Sequence, residues 1–148
     1  MIRGIQHCAL VVGDLERSKR FYGDVLGLEE IPRPSSFAFA GAWFRAGADE
    51  VHLIVESDTT MRAGASAPGS ALEFGLVTHL AFEVDSLADT LVRLRDRGVE
   101  VGGGPMARGD GVDQAFVRDP DGYIVEVFER TGADQSAAGP RLPVREPA

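Results

Sequence analysis

The chain has 148 residues, 44% of them hydrophobic, which is enough for one compact domain with a real core. Its 15 Lys and Arg face 23 Asp and Glu, a formal charge of −8 that repels phosphate backbones and argues against nucleic acid as a main partner, while leaving room for a local arginine pocket around a small anion. The single cysteine, Cys8, cannot form an internal disulfide, no apolar run nears the roughly 20 residues of a membrane span, and the N-terminus lacks the order of a signal peptide, so a cytoplasmic protein away from membranes is expected.

In chain order, the first element is IQHCALVVGDL, residues 5 to 15, and it returns as VTHLAFEVDSL at 77 to 87, an ungapped offset of 72 that carries His7 onto His79. Each copy reads as a strand followed by a helix start. Asp14 and Ser86 can accept a backbone N–H as N-caps, and Ser86 with Asp89 has the spacing of a capping box. Phe21, Tyr22, Val25 and Leu26, and then Leu87, Leu91 and Leu94, have helical apolar spacing, and Gly27 and Gly98 supply the stops. Further strand-like runs follow in both halves: FAFAGAWFRAG and VHLIVE, then VDQAFVRD and YIVEVFE. AGAD at 46 to 49 and DPDG at 119 to 122 are turn signals before the last strand of each half.

The expected fold is therefore α+β. Two tandem βαβββ modules, at 1–57 and 77–130, build a cupped eight-stranded mixed sheet with helices outside, all within one domain at 1–130. Residues 58–76 read as a linker between the modules, and 131–148, which lack an apolar face, as a flexible arm.

Alternation places His7 and His79 opposite the bulky apolar faces of their strands, pointing into the cup, with Cys8 in the core. His52 interrupts EVHLIVE as Glu126 interrupts YIVEVFE, 74 residues apart and at matching places in the modules. A lone strand histidine is usually a hydrogen-bonded core or rim residue. Four coordinating side chains at repeat-related places are a different matter, and a buried carboxylate is costly without a cation nearby. Three imidazoles and one carboxylate describe a divalent transition-metal site, such as Zn, Ni, Co, Mn or Fe. The alternatives are a cup that binds without metal, and polar residues satisfied by each other and by water.

HCALVVGDLERSKRFYGDVLGL, HLAFEVDSLADTLVRLRDRGV and RDPDGYIVEV resemble the vicinal oxygen chelate superfamily, which includes glyoxalase I, extradiol dioxygenases, fosfomycin resistance enzymes and bleomycin-binding proteins; the resemblance covers residues 2 to 130. RPSSFAFAGAWF, VHLI and VDQAFVRDPDG are similar to a narrower glyoxalase-like group. The resemblance implies paired βαβββ modules with metal ligands on the first and last strand of each, here His7, His52, His79 and Glu126. One position departs from glyoxalase I, which has glutamate where this chain has His52. A single carboxylate leaves M²⁺ with a formal charge of +1, which favours an anionic substrate oxygen, and it removes one candidate base.

The reading that follows is a metal-dependent, glyoxalase-like lyase or isomerase acting on a small carbonyl or α-hydroxycarbonyl compound through a metal-stabilised enediolate, with Glu126 as catalytic proton carrier. Arg33, Arg108 and Arg118 are candidates for a substrate carboxylate or phosphate; Trp43, Phe44 and Phe116 are expected in the core or the pocket wall, and Glu83 at the rim. A non-haem Fe(II) ring-cleaving dioxygenase and a non-catalytic antibiotic-binding protein are the competing readings. A homodimer is expected, because one module supplies only half a cup. Neither glutathione dependence nor the choice of metal is legible in these residues.

Overall fold

The computed structural model describes residues 1–69 and 74–132. Part of the linker, and the arm expected at the C-terminus from residue 133 on, lie outside the described residues. The first module consists of β1 (His7–Val12), α1 (Leu15–Lys19), β2 (Glu29–Ile31), β3 (Gly41–Ala46) and β4 (Asp49–Val55). The second has β5 (His79–Glu83), α2 (Leu87–Asp96), β6 (Val101–Ala107), β7 (Val112–Arg118) and β8 (Ile124–Arg130), preceded by one 3₁₀ turn at Phe74–Leu76. The βαβββ order expected of both halves is the order found.

The helix signals act as their chemistry requires. The Asp14 carboxylate accepts from Arg17 N–H at 2.9 Å and the Ser86 hydroxyl from Asp89 N–H at 3.2 Å, each satisfying a donor that the first helical turn cannot. Gly27 and Gly98 end the helices at φ of 83° and 75°, a left-handed conformation that a side chain would strain. Beyond Lys19 the first helix widens into a π-helical turn, Arg20–Val25, in which Leu26 N–H reaches back to the Phe21 carbonyl at 2.9 Å. Adjacent Phe21 and Tyr22 are both buried in that turn.

The strands form two four-stranded sheets, ordered β1-β4-β3-β2 and β5-β8-β7-β6. In each, the first and last strands of the module pair in parallel and the remaining pairs are antiparallel. No ladder joins the two sheets among the described residues, and β1 and β5 are free edges.

One hydrophobic core serves both modules. Leu10, Val12, Ala42, Phe44, Val51 and Leu53 of the first sheet meet Ala115, Val117, Val125 and Val127 of the second through Phe21, Tyr22, Leu87, Leu91 and Leu94. Leu53 and Leu94, fully withdrawn from water, each stabilise the fold by about 1.5–3 kcal/mol. Polar ties cross the same seam: Tyr22 O–H donates to Asp119 at 2.8 Å, Gly13 N–H to Asp121 at 3.1 Å, and Tyr123 O–H to the Val11 carbonyl at 3.0 Å. Each sheet therefore spends one face on the shared core and turns the other away from it. Cys8 lies on the core side, as alternation requires, and burial raises its thiol pKa.

Candidate functional site

The faces turned away from the core carry the four singled-out residues, in two pairs. On the first sheet the parallel register sets His7 beside Glu50 and Ala9 beside His52, and the antiparallel one sets Trp43 beside His52. The small Ala9 lets the rings close into a stack. Trp43 and His52 lie 4.0 Å apart with planes 2° from parallel, and His52 and His7 follow at 4.3 Å and 12°. His52 is only 8% exposed. On the second sheet His79 Nε2 stands 3.0 Å from Glu126 Oε2, and Glu126 is 4% exposed. Phe116, beside Glu126 across the β7–β8 ladder, turns its ring edge-on to His79 with centroids 5.8 Å apart.

Each imidazole has one nitrogen committed to a neighbour. His7 Nδ1 meets the Gln6 side-chain oxygen, His52 Nε2 meets Glu50 Oε2 at 2.6 Å, and His79 Nδ1 meets the Val77 carbonyl at 2.6 Å. A carbonyl only accepts, so His79 carries its proton on Nδ1. In the neutral ring, Nε2 then turns a lone pair toward a carboxylate oxygen. Two electron-rich atoms at that distance in a buried place call for a cation or proton between them. The other Glu126 oxygen, Oε1, is buried without a hydrogen-bond partner, and its nearest cation is Arg108 at 3.5 Å. Such a donor set fits a divalent metal, with outer partners that fix the ligating nitrogens.

Within one chain the pairs stay apart: no three His, Cys, Asp or Glu side chains converge as a metal cage among the described residues. An open polar cleft of about 650 Å³ lies elsewhere, lined by Gly13, Glu56, Ser57, Asp58, Thr60 and Arg62 at the far ends of β1 and β4. It holds none of the four residues.

Residues 4–127 match the Glyoxalase/Bleomycin resistance protein/Dioxygenase superfamily. The chain belongs to that superfamily. It is 33% identical over 140 residues to a lactoylglutathione lyase of Neisseria meningitidis, covering 89% of this chain and 94% of that one. A lactoylglutathione lyase of Salmonella typhimurium is 32% identical over 131 residues, covering 86% and 93%. Among solved structures, a glyoxalase family protein from Bacillus anthracis superposes with a TM-score of 0.72 at 31% identity, covering 88% of this chain and 97% of its own.

Trp43 and Phe116 stand on the faces away from the core, in contact with His52 and His79 respectively. Phe44 does not line the cup. It is 1% exposed and packs on Tyr22 in the core, because adjacent strand residues point to opposite faces. Arg33 spends its guanidinium on the Gly41 and Phe39 carbonyls and lies over the Phe37 and Phe39 rings, organising the loop beside Trp43. Arg118 donates to the Gly122 carbonyl and covers Phe74. Of the three arginines Arg108 comes nearest to the carboxylate, held by Asp110 through bonds of 2.8 to 3.1 Å. Glu83 pairs with Arg130 at 2.9 Å at the rim.

Three contributors escape a reading of the sequence alone. Glu50 shares the face of His52 by the same two-residue alternation that picks out Ile54, and Gln6 sits just ahead of His7. Phe74 lies across the second sheet, 6.0 Å from Phe116, with Gly102 and Gly103 beneath it. The glycine run at 102 to 104 was the available sign that a ring must approach the backbone.

Proposed function

We propose that the protein is a metal-dependent lyase or isomerase of glyoxalase type, acting on a small carbonyl or α-hydroxycarbonyl compound by proton transfer between neighbouring carbons. Kinship with lactoylglutathione lyases at 33% identity supports the reaction class. The observation that carries the metal is the buried Glu126 carboxylate, 3.0 Å from His79 Nε2 and keeping its other oxygen without a hydrogen-bond partner.

His7, His52, His79 and Glu126 would hold the ion. Bound there, a divalent metal supplies Lewis-acid polarisation of adjacent substrate oxygens. Glu126 Oε1 takes the proton from the carbon beside the carbonyl and returns it to the neighbouring carbon. Arg108 keeps positive charge 3.5 Å from that oxygen and presents a guanidinium edge to an anionic substrate group. Phe116 and Phe74 shield the proton's path from bulk water, and Trp43 forms the opposite wall.

The site forms between two copies of the chain. The two pairs of ligands stand on outward faces of separate sheets, and β1 and β5, which carry His7 and His79, are edge strands with no partner on their outer side among the described residues. A homodimer that sets the first sheet of one chain beside the second sheet of another completes an eight-stranded cup with all four residues inside. The experiment is a spectrophotometric assay for lactoylglutathione with added divalent metals. Turnover abolished by chelator and by Glu126→Gln is expected. Oxygen uptake with Fe(II) on a catechol, or antibiotic binding without any turnover, would overturn this reading.

A further inference from the structure

With His52 and His7 as its candidate ligands, the first-sheet half of the site has no carboxylate ligand, yet a carboxylate is present there. Glu50, two residues earlier on β4 and on the same face, brings Oε2 to 2.6 Å from His52 Nε2. The Gln6 side-chain oxygen, just ahead of β1, accepts from His7 Nδ1. Backbone pairing holds the group together, with Glu50 N–H donating to the Gln6 carbonyl at 2.9 Å.

A carboxylate only accepts, and so does an amide oxygen. Beside Glu50, His52 must therefore place its proton on Nε2, leaving Nδ1 as its one free nitrogen. The Gln6 side-chain oxygen places the His7 proton on Nδ1 and frees Nε2. Glu50 thus decides the tautomer of His52, and Gln6 that of His7. The Glu50 carboxylate also stands one imidazole away from where the ion would sit, so that Glu126 and Glu50 together offset the two charges of M²⁺.

We propose that Glu50 and Gln6 are the positioning residues of the metal site, fixing the ligating nitrogens of His52 and His7, with Glu50 adding a second carboxylate charge beside the site. This rests on the metal-dependent reading above. A hydrogen-bonded partner of a metal-bound histidine changes metal affinity by about 10- to 100-fold when removed.

The test is two-bond ¹H–¹⁵N correlation spectroscopy of metal-free protein with ¹⁵N-histidine, which reads each imidazole's tautomer without metal or substrate, paired with calorimetric nickel titration. Wild type should show His52 protonated on Nε2 and His7 on Nδ1. Glu50→Ala should return His52 to a mixture of tautomers and weaken nickel about 10- to 100-fold. Glu50→Gln, which keeps an acceptor without the charge, should hold the tautomer and lose part of the affinity, and Gln6→Ala should release His7 alone. A His52 tautomer and nickel affinity unchanged in folded Glu50→Ala would overturn the proposal. Wild type that binds no nickel contradicts the metal-dependent reading instead, and the spectra then decide the hydrogen-bond claim separately.

Discussion

The Tyr22 hydroxyl donates to the Asp119 carboxylate at 2.8 Å, joining the first helix of one module to the turn before the last strand of the other. The opposite Asp119 oxygen accepts from the N–H groups of Asp121 and Tyr123 at 2.9 Å each, so the carboxylate organises the DPDG turn while it ties the modules. Burial pushes the Tyr22 phenol well above its ordinary range, and the neighbouring carboxylate adds to the effect. The folded protein thus keeps this proton where the unfolded chain releases it. The contribution is complete below the ordinary phenol pKa of about 10 and is lost as pH rises through the raised folded value.

Tyr22→Phe should therefore do two things. It leaves an Asp119 oxygen unpaired in the core, lowering stability at neutral pH by about 1–3 kcal/mol. It also removes the Tyr22 term from the alkaline limb of the stability curve, which should fall less steeply above about pH 10 than in wild type. Denaturant titrations across pH measure both.

Gly102→Ala should displace Phe74. A Cβ at residue 102 would stand 2.8 Å from the Phe74 ring, inside any real contact distance. The ring must leave its place over Phe116, at a cost of about 1–3 kcal/mol for overpacking. Phe74→Leu in the same chain should recover much of the loss, because the shorter side chain clears the methyl group. Urea midpoints of the two single variants and the double variant test the coupling.

Much of this was legible in the sequence, for reasons that particular residues make plain. The repeat that carries His7 onto His79 required equivalent strands, and alternation within each required outward imidazoles with Cys8, Leu80 and Phe82 inward. The caps Asp14 and Ser86 and the stops Gly27 and Gly98 are local chemistry and read directly. Strand extents were harder. FAFA, at 37 to 40, lies outside a strand because Arg33 folds it into a loop, whereas VGGGPMA is strand β6 despite a composition that argues against it. The π-helical turn has no sequence sign. Glu50 reads as an ordinary surface charge until the strand register brings it to His52.

Mixing His7→Ala chains with Glu126→Ala chains should restore metal binding that neither has alone. Each mixed dimer would pair an intact first sheet with an intact second sheet at one site and both altered sheets at the other. One ion per mixed dimer, counted by native mass spectrometry, is the expected stoichiometry. No recovery, or a monomer in sedimentation, would rule out a site shared between two chains.

His52→Leu separates a ligand from a core histidine. Leucine suits the apolar strand and removes a buried polar group, so a core role predicts neutral or improved stability with metal binding untouched. A ligand role predicts a folded protein, by circular dichroism, whose metal affinity falls at least 10-fold. His52→Glu should be milder, since it supplies a ligand of the glyoxalase I type.

A divalent metal site made by His7, His52, His79 and Glu126 can be titrated. Chelator-treated protein is titrated calorimetrically with Ni²⁺ and Zn²⁺, beside the same titration of Glu126→Gln. Wild type should bind one ion per chain, and binding should be at least 10-fold weaker when the carboxylate is gone. A folded wild-type protein that takes up neither ion, or a Glu126→Gln variant that binds as well as wild type, would contradict such a site.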